Sequence, residues 1–266
     1  GNMKLAFSTL GCPNWDLKDI FTTAKDLGYK GVEIRGVSRD IYAPSMKAFT
    51  EDMEQTKAEL KRLGIEISMF TSAATLAMHS AKEESIAEAK DYIDLAQTMG
   101  VPFVRVLSTD KTYCDGGDIE LLKSQLEKVA DYANGKGVTV LLESSGLMVD
   151  TKKLANVLDE VGGPCGALWD VHHPYRFGDE KITETIDNLG DRIKYVHLKD
   201  SVISGCAPQY KMMGSGDIPL DTAILTLLKN GYDGFFTLEW VKRWNKDLEE
   251  PGIVFAQYIN YMKKFA

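Results

Sequence analysis

The 266-residue sequence has few cysteines, few histidines and no excess of positive charge. Its four cysteines lie far apart without a C-x-x-C pair, which argues against a zinc ribbon or a dense disulfide framework and predicts buried, inert thiols. With 39 acidic against 31 basic side chains and a net charge of -8, the surface is poorly suited to neutralising phosphates. We therefore expect no nucleic-acid partner.

Long apolar runs are also missing. None approaches the roughly 18 residues that span a bilayer, and no basic stretch followed by an apolar one marks the N-terminus. We expect no membrane partner and, by default, a cytoplasmic protein. The sequence starts with Gly1 and Asn2 before Met3, a start that is also compatible with a signal peptide that has been removed.

Short β-branched or aromatic runs recur along the whole chain and predict eight strands. They span residues 4–9, 31–35, 66–71, 103–108, 138–144, 166–171, 193–198 and 234–240. Segments with apolar residues at helical spacing separate them, and the longest irregular stretch, residues 200–219, follows the seventh run. No linker rich in Pro, Ser or Gly divides the chain, so we predict one domain over residues 1–266.

This alternation predicts the α/β class and a (β/α)8 TIM barrel, although an open doubly wound sheet would give a similar pattern. The two differ in where the strand ends point. In a barrel the C-terminal ends of all strands face one mouth, whereas distant strands of an open sheet cannot meet. Polar residues end five of the predicted strands here, which favours the barrel.

Four polar residues each terminate an otherwise apolar run: Glu143, Asp170, His197 and Glu239. A buried carboxylate without a partner is costly, and a divalent metal would satisfy all four residues together. For any one of them a helix cap or an ion pair is the simpler explanation. The first three follow one another at intervals of 27 residues, about one βα unit. Three carboxylates and one imidazole suit Mn²⁺ or Mg²⁺, with Co²⁺ or Zn²⁺ as alternatives.

Other polar residues share the inward parity of these strand ends. Lys199 has the parity of His197, so it could polarise a substrate carbonyl or neutralise the site by pairing with Asp200 or Glu239. At the end of the second strand, Glu33 and Arg35 could pair with each other or contact a substrate.

The motifs LLESSG, WDVHHP, VHLKD, GSGDIP and TLEW, in this order on a βα repeat, resemble those of the xylose isomerase-like sugar isomerase and epimerase superfamily. The resemblance spans the chain and implies one divalent metal ion held by Glu143, Asp170, His197 and Glu239. It also implies that the two glutamates transfer protons on opposite faces of the substrate. His173 matches the D-x-x-H position beside the substrate, whereas strand parity alone would point His172 inward.

The leading hypothesis is therefore a metal-dependent isomerase or epimerase of a small-molecule sugar or polyol. Glu143 would remove a proton next to a carbonyl and Glu239 would act as the acid, through an enediolate. A dehydratase of the inosose type is the alternative, because the same site could eliminate water. A barrel that binds sugar without turnover is the second alternative. The resemblance also suggests a homodimer.

Two further motifs bear on the substrate. Ketose 3-epimerases of this superfamily carry a second glutamate after the strand-five ligand and an arginine after the strand-seven histidine. The stretches SSGLMVD and LKDSVISG offer neither, which counts against a 3-epimerase. The GSGD run has the glycines of a phosphate-binding turn, but Asp217 would oppose an anion, so a phosphorylated substrate is unsupported.

The remaining histidine, His79, follows the third predicted strand. We expect it to lie at the surface or to support the site without contacting the substrate.

Overall fold

Strands and helices alternate along the chain in the computed structural model, which describes residues 3–266. The strands are β1 (Lys4–Ser8), β2 (Gly31–Ile34), β3 (Glu66–Thr75), β4 (Phe103–Leu107), β5 (Thr139–Glu143), β6 (Cys165–Asp170), β7 (Ile193–Leu198), β8 (Asp200–Ser204), β9 (Ala207–Lys211) and β10 (Phe235–Leu238). The helices are α1 (Leu17–Leu27), α2 (Met53–Leu63), α3 (Lys82–Met99), α4 (Ile119–Ala133), α5 (Thr151–Val161), α6 (His172–Phe177), α7 (Ile182–Leu189), α8 (Leu220–Lys229) and α9 (Pro251–Met262).

Eight of the strands form a closed barrel in the order β1-β10-β7-β6-β5-β4-β3-β2. The pairing is parallel, with Lys4 of β1 opposite Phe235 of β10 and Phe103 of β4 opposite Thr139 of β5. This closure confirms the predicted (β/α)8 TIM barrel and excludes the open sheet. The four strands that carry the candidate ligands, β5, β6, β7 and β10, are consecutive in this order.

Helix α1 shows how local sequence sets the boundaries of the repeating units. The side chain of Asp16 caps its N-terminus by accepting a 2.9 Å hydrogen bond from the backbone N–H of Asp19. Ile20 and Ala24 lie on its buried face at helical spacing. Gly28 ends the helix at φ 89°, a left-handed conformation that costs glycine little. The chain then turns directly into β2.

The chain divides into two compact units. One comprises the described residues up to Ser68 together with His197–Ala266. In its core the rings of Phe7 and Phe255 stack with centroids 3.9 Å apart. The hydroxyl of Tyr29 donates to the Phe255 carbonyl at 2.6 Å, and that of Tyr258 donates to the Phe236 carbonyl at 2.8 Å. Buried aromatic rings are thus held by both packing and hydrogen bonds.

The other unit comprises Met69–Val196. Trp169 on β6 and Tyr195 on β7 are wholly buried there. The ring of Phe103 meets Tyr195 edge-on at a centroid distance of 6.0 Å. Helix α3 packs on α4, and α5 packs on α7. This unit therefore has its own apolar core, and its strands β5 and β6 end at Glu143 and Asp170.

The stretch predicted to be irregular, residues 200–219, contains the antiparallel hairpin of β8 and β9. Its register runs from Asp200 opposite Lys211 to Ser204 opposite Ala207. The two-residue turn includes Gly205 at φ 66°, a conformation typical of tight hairpin turns. Most of the hairpin is exposed or half-buried, so it lacks the apolar run by which the barrel strands were recognised.

The cysteines depart from expectation. Cys12 is buried and Cys165 is half-buried, as inert thiols would be, but Cys114 and Cys206 are exposed, so that prediction was wrong for these two. His79 lies on the surface, where its Nε2 is 2.8 Å from an Asp118 carboxylate oxygen. Within residues 3–266 no helix is long and apolar enough to cross a membrane.

Candidate metal and active site

The four predicted ligands lie where their strands end. Glu143 and Asp170 are the last residues of β5 and β6, His197 precedes the last residue of β7, and Glu239 directly follows β10. Each is at most 6% exposed. A carboxylate held this far from water needs a cation or several donors. The contacts of each residue show how that requirement is met.

His197 lies between two carboxylates, in a group that we term the His197 cluster: Glu33, His197, Lys199 and Glu239. Its Nε2 is 2.6 Å from Glu33 Oε1, and its Nδ1 is 3.3 Å from Glu239 Oε2. Glu33 and His197 are fully buried. A neutral imidazole carries a proton on one ring nitrogen and a lone pair on the other. It can therefore donate a hydrogen bond through one nitrogen while it binds a metal ion through the other.

Lys199 is the cation of this cluster. It follows the end of β7, is 1% exposed, and places Nζ 2.5 Å from Glu239 Oε1. Of the two partners considered from the sequence, Glu239 is the one that Lys199 contacts. The ammonium group therefore compensates a buried carboxylate and at the same time fixes its orientation.

The second group, the Asp170 cluster, consists of Asp170, His172 and His173. Strand β6 ends at Asp170 and α6 begins at His172, so both histidines follow the strand end, as the choice of His173 requires. Asp170 Oδ1 accepts hydrogen bonds from the backbone N–H groups of His172 at 3.0 Å and His173 at 3.1 Å. Its Oδ2 lies 3.5 Å from His173 Nε2. One oxygen thus caps a helix while the other faces an imidazole.

His172 contacts His173 within this cluster. Its Nδ1 lies 2.9 Å from Nδ1 of His173, and both rings are buried. On its other side His173 stacks against Phe177, with ring centroids 5.6 Å apart. The two neighbours fix the orientation of the His173 ring, which leaves Nε2 directed at Asp170.

Glu143 is paired with Arg105 on β4, a residue that the strand-end pattern does not single out. Arg105 Nη1 lies 3.1 Å from Glu143 Oε1, and both side chains are at most 8% exposed. The guanidinium also donates from Nε at 3.2 Å and from Nη2 at 2.7 Å to the backbone carbonyl of Ser72. This fork anchors Arg105 to β3 and holds the Glu143 carboxylate in place.

The GSGD motif binds a carboxylate of the protein itself. The buried Asp200 side chain accepts hydrogen bonds from four backbone N–H groups, at distances of 2.9–3.2 Å, belonging to Ser201, Gly214, Gly216 and Ile218. Burial raises the pKa of the Asp200 carboxyl above its usual value, and the four amides oppose that shift. The turn therefore closes on the Asp200 carboxylate at the base of the hairpin.

Two groups of buried donors could hold a metal ion. Glu33, His197 and Glu239 bring three ligand atoms within 4.8 Å of one another, and Asp170, His172 and His173 do the same. Carboxylate oxygens and imidazole nitrogens fit Mn²⁺, Mg²⁺, Co²⁺ or Zn²⁺. The donor chemistry of the structure is thus compatible with the predicted cofactor and does not select among these ions.

The chain matches a known protein family over most of its length. The family described as the xylose isomerase-like TIM barrel matches residues 21–264 of this chain. The chain belongs to this family. The resemblance inferred from the five motifs is thereby confirmed.

Individual relatives have low sequence identity but extensive coverage. A fructoselysine 3-epimerase of Shigella flexneri is 25% identical in an alignment 270 positions long, gaps included, which covers 96% of this chain and 95% of that protein. The IOLI protein, solved with a bound zinc atom, aligns with a TM-score of 0.80 at 18% identity over 98% of this chain and 97% of its own. The probable 3-DHS dehydratase AsbF of Bacillus anthracis gives 0.78 at 17% identity over 98% and 99%. The two structures show the shared fold.

Proposed function

We propose that this xylose isomerase-like barrel is a divalent-metal-dependent sugar isomerase or epimerase that moves a proton next to a carbonyl. The observation that carries the proposal is the His197 cluster, in which a buried imidazole meets Glu239 through one nitrogen and Glu33 through the other. In metal sites a ligating imidazole commonly donates its other ring N–H to a carboxylate, as His197 can to Glu33. The named activity of the Shigella flexneri relative supports the same class of reaction.

The ligands we propose are Glu143, Asp170, His197 and Glu239, which end four consecutive strands of the barrel. Mn²⁺ or Mg²⁺ is favoured by the three carboxylates, with Co²⁺ or Zn²⁺ as alternatives. When bound, such an ion supplies Lewis-acid polarisation of the substrate carbonyl.

Proton transfer falls to the two glutamates. We assign Glu143 as the base and Glu239 as the acid, as the family resemblance implies. Each has a cation at one carboxylate oxygen: Arg105 at Glu143 Oε1 and Lys199 at Glu239 Oε1. These ion pairs hold the two carboxylates in fixed orientations at the ends of their strands.

Two further residues have proposed roles toward the substrate. His173 lies at the start of α6 beside Asp170, in the position that the family motif gives to a substrate contact. Lys199 could donate to a substrate oxygen from the same ammonium that holds Glu239.

The reaction subclass separates the candidate functions. Return of the proton to the opposite face gives an epimer, and transfer to the neighbouring carbon gives an isomer. Loss of a hydroxyl after the same abstraction would make the enzyme a dehydratase. The relative is named for 3-epimerisation, the outcome that the missing glutamate and arginine count against. We accordingly propose the broader class, with a sugar or polyol as substrate.

The test is proton exchange in D₂O by Mn²⁺-loaded protein with three probes: fructoselysine, D-fructose and an inosose. We expect deuterium next to the carbonyl of at least one probe without change in the carbon skeleton, and loss of that exchange in Glu143→Gln. The control is Glu180→Gln, which removes a different buried carboxylate, hydrogen-bonded to Thr151 and Thr185. Loss of water from the product would identify a dehydratase. Calorimetric binding without exchange would identify a non-catalytic barrel.

A further inference from the structure

Glu33 is a buried carboxylate that the proposed reaction does not use. It lies on β2 in the apolar run GVEI, is fully buried, and meets His197 on β7 at 2.6 Å. Strands β1 and β10 stand between β2 and β7 in the barrel order, so this contact is not a neighbouring-strand pair. The two side chains therefore meet across the barrel interior, where a carboxylate is costly unless it has a specific partner.

The contact has a direct consequence for the histidine tautomer. A hydrogen bond between a ring nitrogen and a carboxylate oxygen needs a proton on that nitrogen, because an ionised carboxylate only accepts. With Glu33 ionised, the 2.6 Å contact requires that His197 Nε2 carry the proton and donate to Glu33 Oε1. In neutral imidazole the other nitrogen then carries a lone pair. That nitrogen, Nδ1, is the one that lies 3.3 Å from Glu239 Oε2.

We infer that Glu33 is a positioning residue that fixes His197 so that Nδ1, beside Glu239, is its metal-binding atom. The inference rests on the proposed function, because it assigns a role toward the ion of that site. In this assignment Glu33 acts on the ion through His197, because it faces Nε2 whereas the ion would lie at Nδ1, and the two ring nitrogens point in divergent directions. Carboxylates that hold a metal-ligating histidine in this way strengthen it as a ligand, and their loss commonly weakens metal binding 10- to 100-fold.

Metal titration tests this assignment without relying on activity. Glu33→Ala and Glu33→Gln would be compared with the parent by Mn²⁺ calorimetry and by the visible absorption of bound Co²⁺, which reports the ligand field. We expect Glu33→Ala to keep one site, to raise the dissociation constant about 10- to 100-fold, and to shift the Co²⁺ bands. Glu33→Gln should lose less affinity, because its amide oxygen can still accept from Nε2.

Control variants separate positioning from general loss of stability. Glu180→Gln also removes a buried carboxylate, but one that accepts from Thr151 and Thr185, and it should leave affinity and spectrum unchanged. Unchanged affinity and spectrum in folded Glu33→Ala would overturn this inference alone. If that variant does not fold, unchanged affinity and spectrum in Glu33→Leu, which also removes the acceptor but fills more of the buried space, would overturn it. A parent that binds neither Mn²⁺ nor Co²⁺ would overturn the proposed function as well.

Discussion

Replacement of Arg105 by methionine removes the cation that faces Glu143 in the barrel. Arg105 and Glu143 form an ion pair at 3.1 Å with side chains 8% and 4% exposed, and the guanidinium also donates two hydrogen bonds to the Ser72 carbonyl. Methionine preserves much of the side-chain volume but has no charge and no donor. The variant therefore leaves a buried carboxylate and a backbone carbonyl without their arginine partner.

The expected loss is large because only one member of a buried pair is removed. Breaking such a pair costs about 3–5 kcal/mol in the free energy of unfolding. Arg62→Met provides a matched control, since Arg62 pairs with Glu59 on an exposed helix face with side chains 66% and 38% exposed. An exposed pair of this kind is worth about 0–1 kcal/mol. The difference between the two variants isolates the effect of burial.

The assay is urea unfolding of the metal-free protein in EDTA, followed by tryptophan fluorescence and circular dichroism, which must give coincident transitions. The double variant Arg105→Met/Glu143→Leu removes both charges and should recover most of the stability, because apolar replacements of a buried pair are often neutral. A loss below about 1 kcal/mol in Arg105→Met, equal to that in Arg62→Met, would refute the reasoning.

Two further predictions concern the hairpin turn and the thiols. Gly216→Ala should cost at least about 1–3 kcal/mol in urea unfolding, because its Cβ would overlap the carboxylate held by the turn and break hydrogen bonds to it. Gly252→Ala, in open space on a helix, should stabilise by up to about 1 kcal/mol, and equal effects of both changes would contradict the prediction. Native protein at pH 8 should react quickly with Ellman's reagent at Cys114 and Cys206 only. Burial raises the pKa of Cys165 to about 11, so its thiolate is scarce, and fast release of more than two equivalents would contradict this.

The barrel could be predicted from the sequence because its strands are buried on both sides. Such strands read as continuous apolar runs, and each of the eight predicted runs overlaps a strand of the barrel. Strand β3 extends four residues beyond its predicted end, to Thr75, through a register shift after Thr71. The hairpin was missed because its residues are mostly exposed and Pro208 interrupts the strand pattern.

The site was only partly predictable, for a different reason. Lys199 and His197, which share strand parity, both contact Glu239, and His173 lies beside Asp170 just after the end of β6. Glu33 was noted from the same parity, but its partner lies 164 positions away and no local pattern indicates it.

Arg105 could have been recognised from the sequence, although not from the parity of residues at strand ends. It is the single charge in the strand FVRVL, and a cation buried in such a run requires a buried anion. Which anion it meets depends on the neighbouring strand: β4 pairs with β5, and β5 ends at Glu143. Such a residue can be recognised in the sequence, but its partner can be identified only from the strand order of the closed barrel.

Metal content tests the central claim most directly. Elemental analysis would be performed on the purified protein before and after loading with Mn²⁺, beside Glu239→Ala, which removes the carboxylate that lies between His197 and Lys199. A metal site at these strand ends predicts about one equivalent of metal in the loaded parent and much less in the variant. No bound metal in the parent, or an equal content in both proteins, would contradict a metal site at these strand ends.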